Sequence, residues 1–409
     1  MIRVEEYQRI TQTGVEALPC EEVKVGAAAG RVLAEDLRSI HPVPPFTNSA
    51  MDGFAVCTDD VVAGAVLPVT ADVPAGRIAP EPLWPGTAQR IMTGAPIPPG
   101  ANAVVPVEDT DQPSGSAPLP KRVRIDAAPT PNRHVRYKGE DVPAGTVVIR
   151  AGTRLTPAAL AAAISVGHAT VPVRRRPRVA IISTGAELRR AGEKLGPGEI
   201  PDSNGPLLTE LVREAGGEVV TRVTTGDDSE EFAAALDSAM AADLVVTSGG
   251  ASAGAFDVVK HVAEPLGVEF RSVAMQPGKP QGHGRLIGDG GRRVPVFALP
   301  GNPVSVFVSF HALVRPVLEL MLGTSARAPI VTARATSGWR CPAGRRQYTP
   351  VLVSFGAEVT CEKVHPLGSG SHLVASLPHA NGLAIAAEDA TEVQAGDLLE
   401  VHLVNLPWR

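Results

Sequence analysis

Between Asp243 and Pro303 the chain runs DLVVTSGGASAGAFD, then VAMQPGKP, then VPVFALPGNPVS. No other feature limits the fold so strongly. Each run is rich in Val, Leu and Ala, lacks polar alternation and ends in a glycine-rich turn. Such runs read as strands buried on both faces, as in a parallel sheet. In an open α/β sheet, the loops at the carboxyl ends of these strands form the ligand crevice. Glycine lets backbone approach a ligand closely, and clustered N–H groups suit anions. Carboxylates accompany these loops at Glu187, Asp227, Asp228 and Asp257. Acids beside an anion site make sense where a cation bridges the two. The pattern therefore points to a phosphorylated ligand held with a divalent metal.

A chain of 409 residues exceeds one core and calls for roughly two to four domains. A net charge of −5 gives no basic surface and argues against nucleic acid as a partner. Cys20, Cys57, Cys341 and Cys361 are scattered without a CxxC and read as reduced thiols, which places the protein in the cytoplasm. The opening MIRVEEYQRI lacks the apolar core of a signal peptide. No uninterrupted run of about 18 apolar residues offers a membrane span.

Four composition changes divide the chain. Residues 1–40 read as helical, with VEEYQRI first and a second piece around 23–33. From 41 to 145 valine pairs alternate with Pro and Gly, as in 66–73, 103–107 and 122–125, which predicts a small inserted β-rich domain. TPAALAAAISVG (156–167) predicts a helix with Thr156 as N-cap, Pro157 at the first position and Gly167 as its stop. It belongs with 1–40 to a split N-terminal region, 146–177, that links and dimerises. RRRPR (174–178) reads as a solvated linker. Strands and helices then alternate regularly over 178–325, which predicts a central doubly wound, three-layer α/β domain with a parallel sheet. Its predicted helices include 206–215, 229–241 with Asp228 and Glu231 as a capping box, and 303–322. Residues 326–409 return to short β runs and read as a small C-terminal β domain.

Several segments carry chemistry, each with a plainer account beside it. Asn48, Ser49 and Asp52 precede a strand, and local turn bonding explains them as well. Thr93-Gly94-Ala95-Pro96 and Lys138-Gly139-Glu140-Asp141 read equally as turns. Helix capping accounts for Asp202 and Asp228, leaving Glu187, Asp227 and Asp257 as hard oxygen donors suited to Mg²⁺. Lys279 stands between Pro277-Gly278 and Pro280, which pre-sets its approach to an anion. Leu299-Pro300-Gly301-Asn302-Pro303-Val304-Ser305 feeds a helix N-terminus. The P-loop, GxGxxG and HExxH patterns are missing, so ATPase, dehydrogenase and zinc hydrolase readings lack their signatures.

NSAMDGFAV, IMTGAPIPPGANAVVPVED, KGEDV, STGAEL, DSN, TSGGASAGAFD, PGKP and LPGNPVS occur here in one order. Together they resemble the molybdopterin molybdenumtransferases, the MoeA family, which includes the E domain of gephyrin. The resemblance implies a homodimer of four-part subunits that inserts molybdenum from molybdate into adenylylated molybdopterin, with Mg²⁺-dependent hydrolysis and release of AMP. It also implies a functional link to the upstream molybdopterin adenylyltransferase. By motif position it assigns catalytic roles to Asp52, Thr93, Glu187, Asp227 and Asp257, with Asp141 a further functional acid. Glu187, Asp227 and Asp257 would hold the metal. Substrate contacts fall on Gly249, Gly250, Ser252, Gly254, Gly278, Lys279, Pro300, Gly301, Asn302, Pro303 and Ser305. Arg345, Arg346, Ser369 and Ser371 match the family's oxyanion cleft more loosely, with Arg345 and Ser371 as substrate contacts. Gln276 and Ala186 stand where the family commonly carries Lys and Asp. A pterin-binding scaffold without insertase activity is the alternative, and a pterin adenylyltransferase would not need the flanking regions.

Overall fold

The structure is a computed structural model and describes residues 1–76, 81–250, 257–324, 329–365 and 370–404. Near the N-terminus, helix α1 (Val4–Gln12) is followed by a strand, Cys20–Lys24, rather than by a second helix. That strand pairs antiparallel with Thr170–Arg174, and Leu37–Arg38 pairs with Val147–Ile149. The helical expectation over 23–33 therefore fails. A partner strand about 150 positions away in sequence supplies backbone bonds that outweigh weak local helix preference. Helix α2 (Pro157–Ser165) forms as expected, with the Thr156 hydroxyl accepting from the Ala159 N–H. Between these pieces, residues 41–145 build a five-stranded sheet of order Ala103–Pro106, Gly53–Val56, Ala88–Ile91, Val66–Val73, Arg122–Arg124.

The RRRPR segment is not solvated linker. The Arg175 guanidinium donates to both oxygens of buried Asp243, at 2.8 and 3.0 Å. Arg174 donates to the Leu18 carbonyl and Arg176 to the Gly216 carbonyl. Asp243 also accepts from the Arg178 N–H and from Arg292. Burial opposes its charge, but the Arg175 bonds and the Arg178 N–H hold its carboxyl below the usual range. Three arginines in a row thus clasp the N-terminal region to the foot of the central sheet.

That sheet comprises β1 (Arg178–Thr184), β2 (Glu218–Thr225), β3 (Leu244–Ser248), β4 (Glu269–Ser272), β5 (Pro280–Ile287) and β6 (Arg293–Leu299), in the order β2-β1-β3-β6-β5-β4. The strands β2, β1, β3 and β6 run parallel, while β5 and β4 are antiparallel. A wholly parallel sheet was the expectation. The short connections on either side of β5, which hold no α-helix, explain the difference, since a parallel crossover needs a dozen or more residues. The VAMQPGKP run is accordingly no parallel core strand. Its Met275–Gln276 segment leaves this sheet and pairs with Arg346-Gln347 of the C-terminal sheet.

Helices cover both faces. On one side α3 (Asn204–Glu214), α6 (Pro303–Ser309) and α7 (Arg315–Met321) bury Leu208, Phe307, Val317 and Leu318 against Ile181, Val246 and Leu299. On the other, α4 (Ser229–Ala239) and α5 (Val258–Ala263) pack Phe232, Leu236 and Val259 against Ile182, Val245 and Ala298. A π-turn over Phe310–Val314 joins α6 to α7 ahead of Pro316. Proline has no N–H for the Ala312 carbonyl. Gln8 of α1 donates to that carbonyl at 2.9 Å, while Val4 and Tyr7 enter the same core. The Pro303–Met321 stretch is long and apolar enough to cross a membrane, but it is mostly buried inside the protein.

In the C-terminal part, Arg346–Phe355, Val359–Lys363, Ile330–Ala335, Leu398–Leu403 and Gly382–Ala386 close on one another as a barrel. Tyr348, Leu377 and Leu383 from this part join the core beneath α6 and α7.

Candidate active site

The carboxyl ends of the parallel strands open onto a cleft of about 660 Å³. Glu187, Asp227 and Asp257 line it, as do Gly249, Gly250, Gly278, Lys279, Pro300, Gly301, Asn302, Pro303, Ser305 and Ser371. Ser252, Gly254 and Ser369 lie outside the described residues.

The turns that form the cleft brace one another. Gly249, which follows β3 at φ +91°, leaves room for the Thr184 carbonyl; a Cβ there would stand 2.3 Å from that oxygen. Asn204 at the start of α3 donates from Nδ2 to the Gly301 carbonyl at 2.6 Å, tying two loops together. Asp202 accepts from the Gly205 N–H and the Thr224 hydroxyl, so its role is that of a cap, as is that of Asp228 at α4. Asp257 is also a cap: its Oδ1 accepts from the Lys260 N–H at the start of α5. Sequence reasoning left that role unassigned.

The acids and the cation are arranged differently from one another. Asp227 Oδ2 accepts from the Ala186 N–H at 3.4 Å, and the Glu187 carboxylate folds back over Gly185, so both bracket one turn. Both side chains are exposed to the cleft solvent. Among the described residues, no three acidic, His or Cys groups stand close enough to enclose a metal. Mg²⁺ is commonly bound through one or two carboxylates and completed by substrate phosphate and water. The exposed pair at one turn fits that shared mode and does not fit an all-protein cage. Half-buried Lys279 has no carboxylate within ion-pair distance among the described residues, which leaves its ammonium available to an anion.

The α6 N-terminus offers fewer donors than its sequence suggests. Pro303 has no N–H, and the Val304 N–H donates to the Ser371 carbonyl at 3.2 Å. Asn302 Nδ2 donates to Ser371 Oγ at 2.9 Å, so the C-terminal part is fastened directly onto this turn. Arg345 does not line the cleft itself; its guanidinium donates at 3.0 Å to Oε1 of Gln276, which does. Arg346 is committed elsewhere, paired with Glu5 of α1 and lying 3.6 Å from Glu388. Its matching to the oxyanion cleft is therefore corrected to an inter-domain ion pair.

Asp52 and Thr93 meet one another but not this cleft. Asp52 Oδ1 accepts from the Thr93 N–H at 2.6 Å on the inserted β domain, where Asp52 borders a separate cavity of about 340 Å³. Asp141 sits in an exposed turn at the edge of the same region, beyond both cavities. Sequence reasoning did not single out Thr184, Ser248 or Ile200-Pro201, all of which line the cleft. Thr184 and Ser248 end parallel strands, a position that could have marked them. Ile200-Pro201 forms a two-residue ribbon with Leu188-Arg189, for which the sequence carries no pattern.

Comparison with known proteins agrees with this geometry along the whole chain. Residues 2–167 match the MoeA N-terminal region (domain I and II), 180–320 a probable molybdopterin binding domain, and 332–404 the MoeA C-terminal region (domain IV). Molybdopterin molybdenumtransferase 2 of Mycobacterium tuberculosis is 43% identical, over 98% of this chain and 99% of its own. The chain belongs to the MoeA family. A molybdopterin molybdenumtransferase of Haemophilus influenzae is 35% identical, over 94% of both chains. A crystal structure of the MoeA protein from Pyrococcus horikoshii superposes with a TM-score of 0.81 at 32% identity, over 98% of this chain and 99% of that one. The MoeA-type arrangement of N-terminal, central and C-terminal parts, expected from the sequence motifs, is the one observed.

Proposed function

We propose that this member of the MoeA family inserts molybdenum from molybdate into the dithiolene of adenylylated molybdopterin, with hydrolysis of the adenylate and release of AMP. Its role lies in molybdenum cofactor biosynthesis, and its relatives are named molybdopterin molybdenumtransferases. One observation carries the reading: a single cleft holds a lysine with no ion-pair partner among the described residues together with an exposed pair of carboxylates. Such a cleft suits a phosphorylated ligand that brings a cation.

Lys279 attracts the pterin phosphate and the molybdate, two anions that repel each other in water. Holding both in one site supplies proximity, which is worth several kcal/mol of barrier for well-oriented reactants. The dithiolene sulfurs bond to molybdenum as molybdate oxygen leaves as water with the thiol protons, so the protein needs no nucleophile of its own. Glu187 and Asp227 would hold Mg²⁺, with Asp257 lining the same cleft, and a bound Mg²⁺ would polarise the phosphoryl oxygens. The Asn204 bond to Gly301 and the Ser371 bonds to Asn302 and Val304 keep the loops in register around the substrate.

The same reading includes a homodimer. Helix α2 (PAALAAAIS) carries no charge, and Ile164 on its outer face is 60% exposed. An apolar face of this kind suits a second copy. A second copy would also explain Asp52 and Thr93, since its inserted β domain can bring them to a cleft that its own chain does not reach. Separate apolar cores in the split N-terminal region and in the inserted domain support the four-part division. The four free cysteines fit a cytoplasmic protein, and the upstream adenylyltransferase is the partner that would hand over the substrate.

The test is AMP release from adenylylated molybdopterin by purified protein with Mg²⁺, in the presence and absence of molybdate. Molybdate-dependent AMP release with metal bound to the pterin is the expected result. Tight pterin binding without AMP release would make the protein a carrier and remove the catalytic roles given to the carboxylates.

A further inference from the structure

We propose that Gln281 is a positioning residue that sets the Lys279 ammonium over the cleft, an inference that rests on the proposed function of that cleft. Gln281 follows the PGKP turn at the start of β5 and is 1% exposed. Its Nε2 donates to the Gly278 carbonyl at 2.8 Å and to Ser309 Oγ at 2.7 Å. Ser309 is fully buried in α6, the helix whose first turn contributes Pro303 and Ser305 to the same cleft. One amide therefore ties the lysine-bearing turn to the element that forms another wall of the site.

Two features indicate that these bonds have a purpose beyond filling space. A carbonyl can only accept, so the Gly278 oxygen fixes which end of the amide faces the turn. That leaves Gln281 Oε1 buried with no hydrogen-bond partner among the described residues, an omission that costs about 1–3 kcal/mol. A methionine or leucine would avoid the cost but could not hold the turn. The turn also has no slack of its own. Gly278 sits at φ +103°, and a Cβ there would stand 2.9 Å from Ser309 Oγ and 3.1 Å from both Gln281 Nε2 and Met275 Cε.

Lys279 needs such support because no ion pair among the described residues anchors its side chain. Immobilising a rotamer-rich side chain on binding costs about 0.5–1.5 kcal/mol, and a loose turn would add to that. Pinning Gly278 removes the backbone share of the cost before the anion arrives. Lys279 makes the contact, and Gln281 determines where it starts from.

Gln281→Met keeps an unbranched side chain of similar length and deletes both donors. Molybdopterin affinity, read from pterin fluorescence, is measured in wild type, Q281M, K279A and the double variant, with thermal unfolding as the check on folding. Q281M should weaken binding about tenfold, or about 1.4 kcal/mol, and raise KM while kcat at saturation stays within about twofold. In the K279A background it should cost nothing further, because its effect runs through the lysine. Ser309→Ala, which removes one acceptor from a helical position that tolerates alanine, should show a smaller loss with the same dependence on Lys279. An unchanged affinity in Q281M, or an equal loss with and without Lys279, overturns the proposal. Wild-type protein that fails to bind molybdopterin would overturn the functional reading before any variant is compared.

Discussion

Replacing Gly249 with alanine should destabilise the central sheet, whereas the same change at Gly301, whose backbone it touches, should not. A Cβ on Gly249 would stand 2.3 Å from the Thr184 carbonyl oxygen and 2.9 Å from Thr184 Oγ1, at φ +91°. Positive φ costs a non-glycine residue about 1–2 kcal/mol. Relieving the contact requires a backbone shift of roughly 1 Å at the end of β3, which endangers the Gly249 N–H bond to the Leu299 carbonyl, worth about 1 kcal/mol. Together these amount to about 3 kcal/mol. A Cβ on Gly301 meets its nearest neighbour, the Gly249 Cα, at 3.5 Å, an ordinary contact, so G301A should cost less than about 1 kcal/mol. For a unit of this size, 1 kcal/mol moves Tm by about 2–4 °C, so G249A should lower it by about 8 °C. Calorimetry on both variants decides the matter. Equal shifts, or a neutral G249A, would refute the backbone-contact argument.

Three further outcomes follow from the same geometry. Gln276→Ala, Arg345→Ala and the double variant should weaken molybdate binding by one common factor in calorimetric titration, because the guanidinium reaches the cleft through that amide. Asp243→Asn should cost about 2 kcal/mol in urea unfolding at pH 7. It removes a buried partner of Arg175 and Arg292, and their partial exposure softens the loss. Burial pushes the His283 imidazole down to about 4, against an ordinary 6.5. Between those pH values the unfolded chain takes up a proton that the folded chain does not, so stability rises with pH across the window. The contribution present above pH 6.5 is lost as pH falls toward 4, by about 3 kcal/mol. H283Q should therefore lose less stability than wild type between pH 7 and pH 4.5, as read from urea midpoints.

Much of the fold was legible in the chain because its signals are local. Thr156 and Pro157 opened a helix where their types require one, and Asp228 capped α4. The strands 178–183 and 294–299 were visible as unbroken apolar runs, and the strand over 66–73 was bounded by turn residues. β5 was missed because PQGHGRLI carries neither alternation nor an apolar run. Its place as a strand comes from pairing with β6 and β4 on either side. The N-terminal strand was hidden for a related reason: its bonds come from Thr170–Arg174.

The site divides along the same line. Sequence alone determined which residue types stand at the strand ends: the glycine turns, the acids beside them, and a lysine held between prolines. Those choices are made within a few residues, by φ restriction, capping and strand propensity. Tertiary structure decided which of these groups meet. It set Glu187 and Asp227 on one turn, engaged Asp257 as a helix cap, turned Arg346 toward Glu5, and left Asp52, bonded to the Thr93 N–H, at another cavity. Strand order and register control those encounters, and they are settled by packing between segments far apart in the chain, about which no short stretch of sequence carries information.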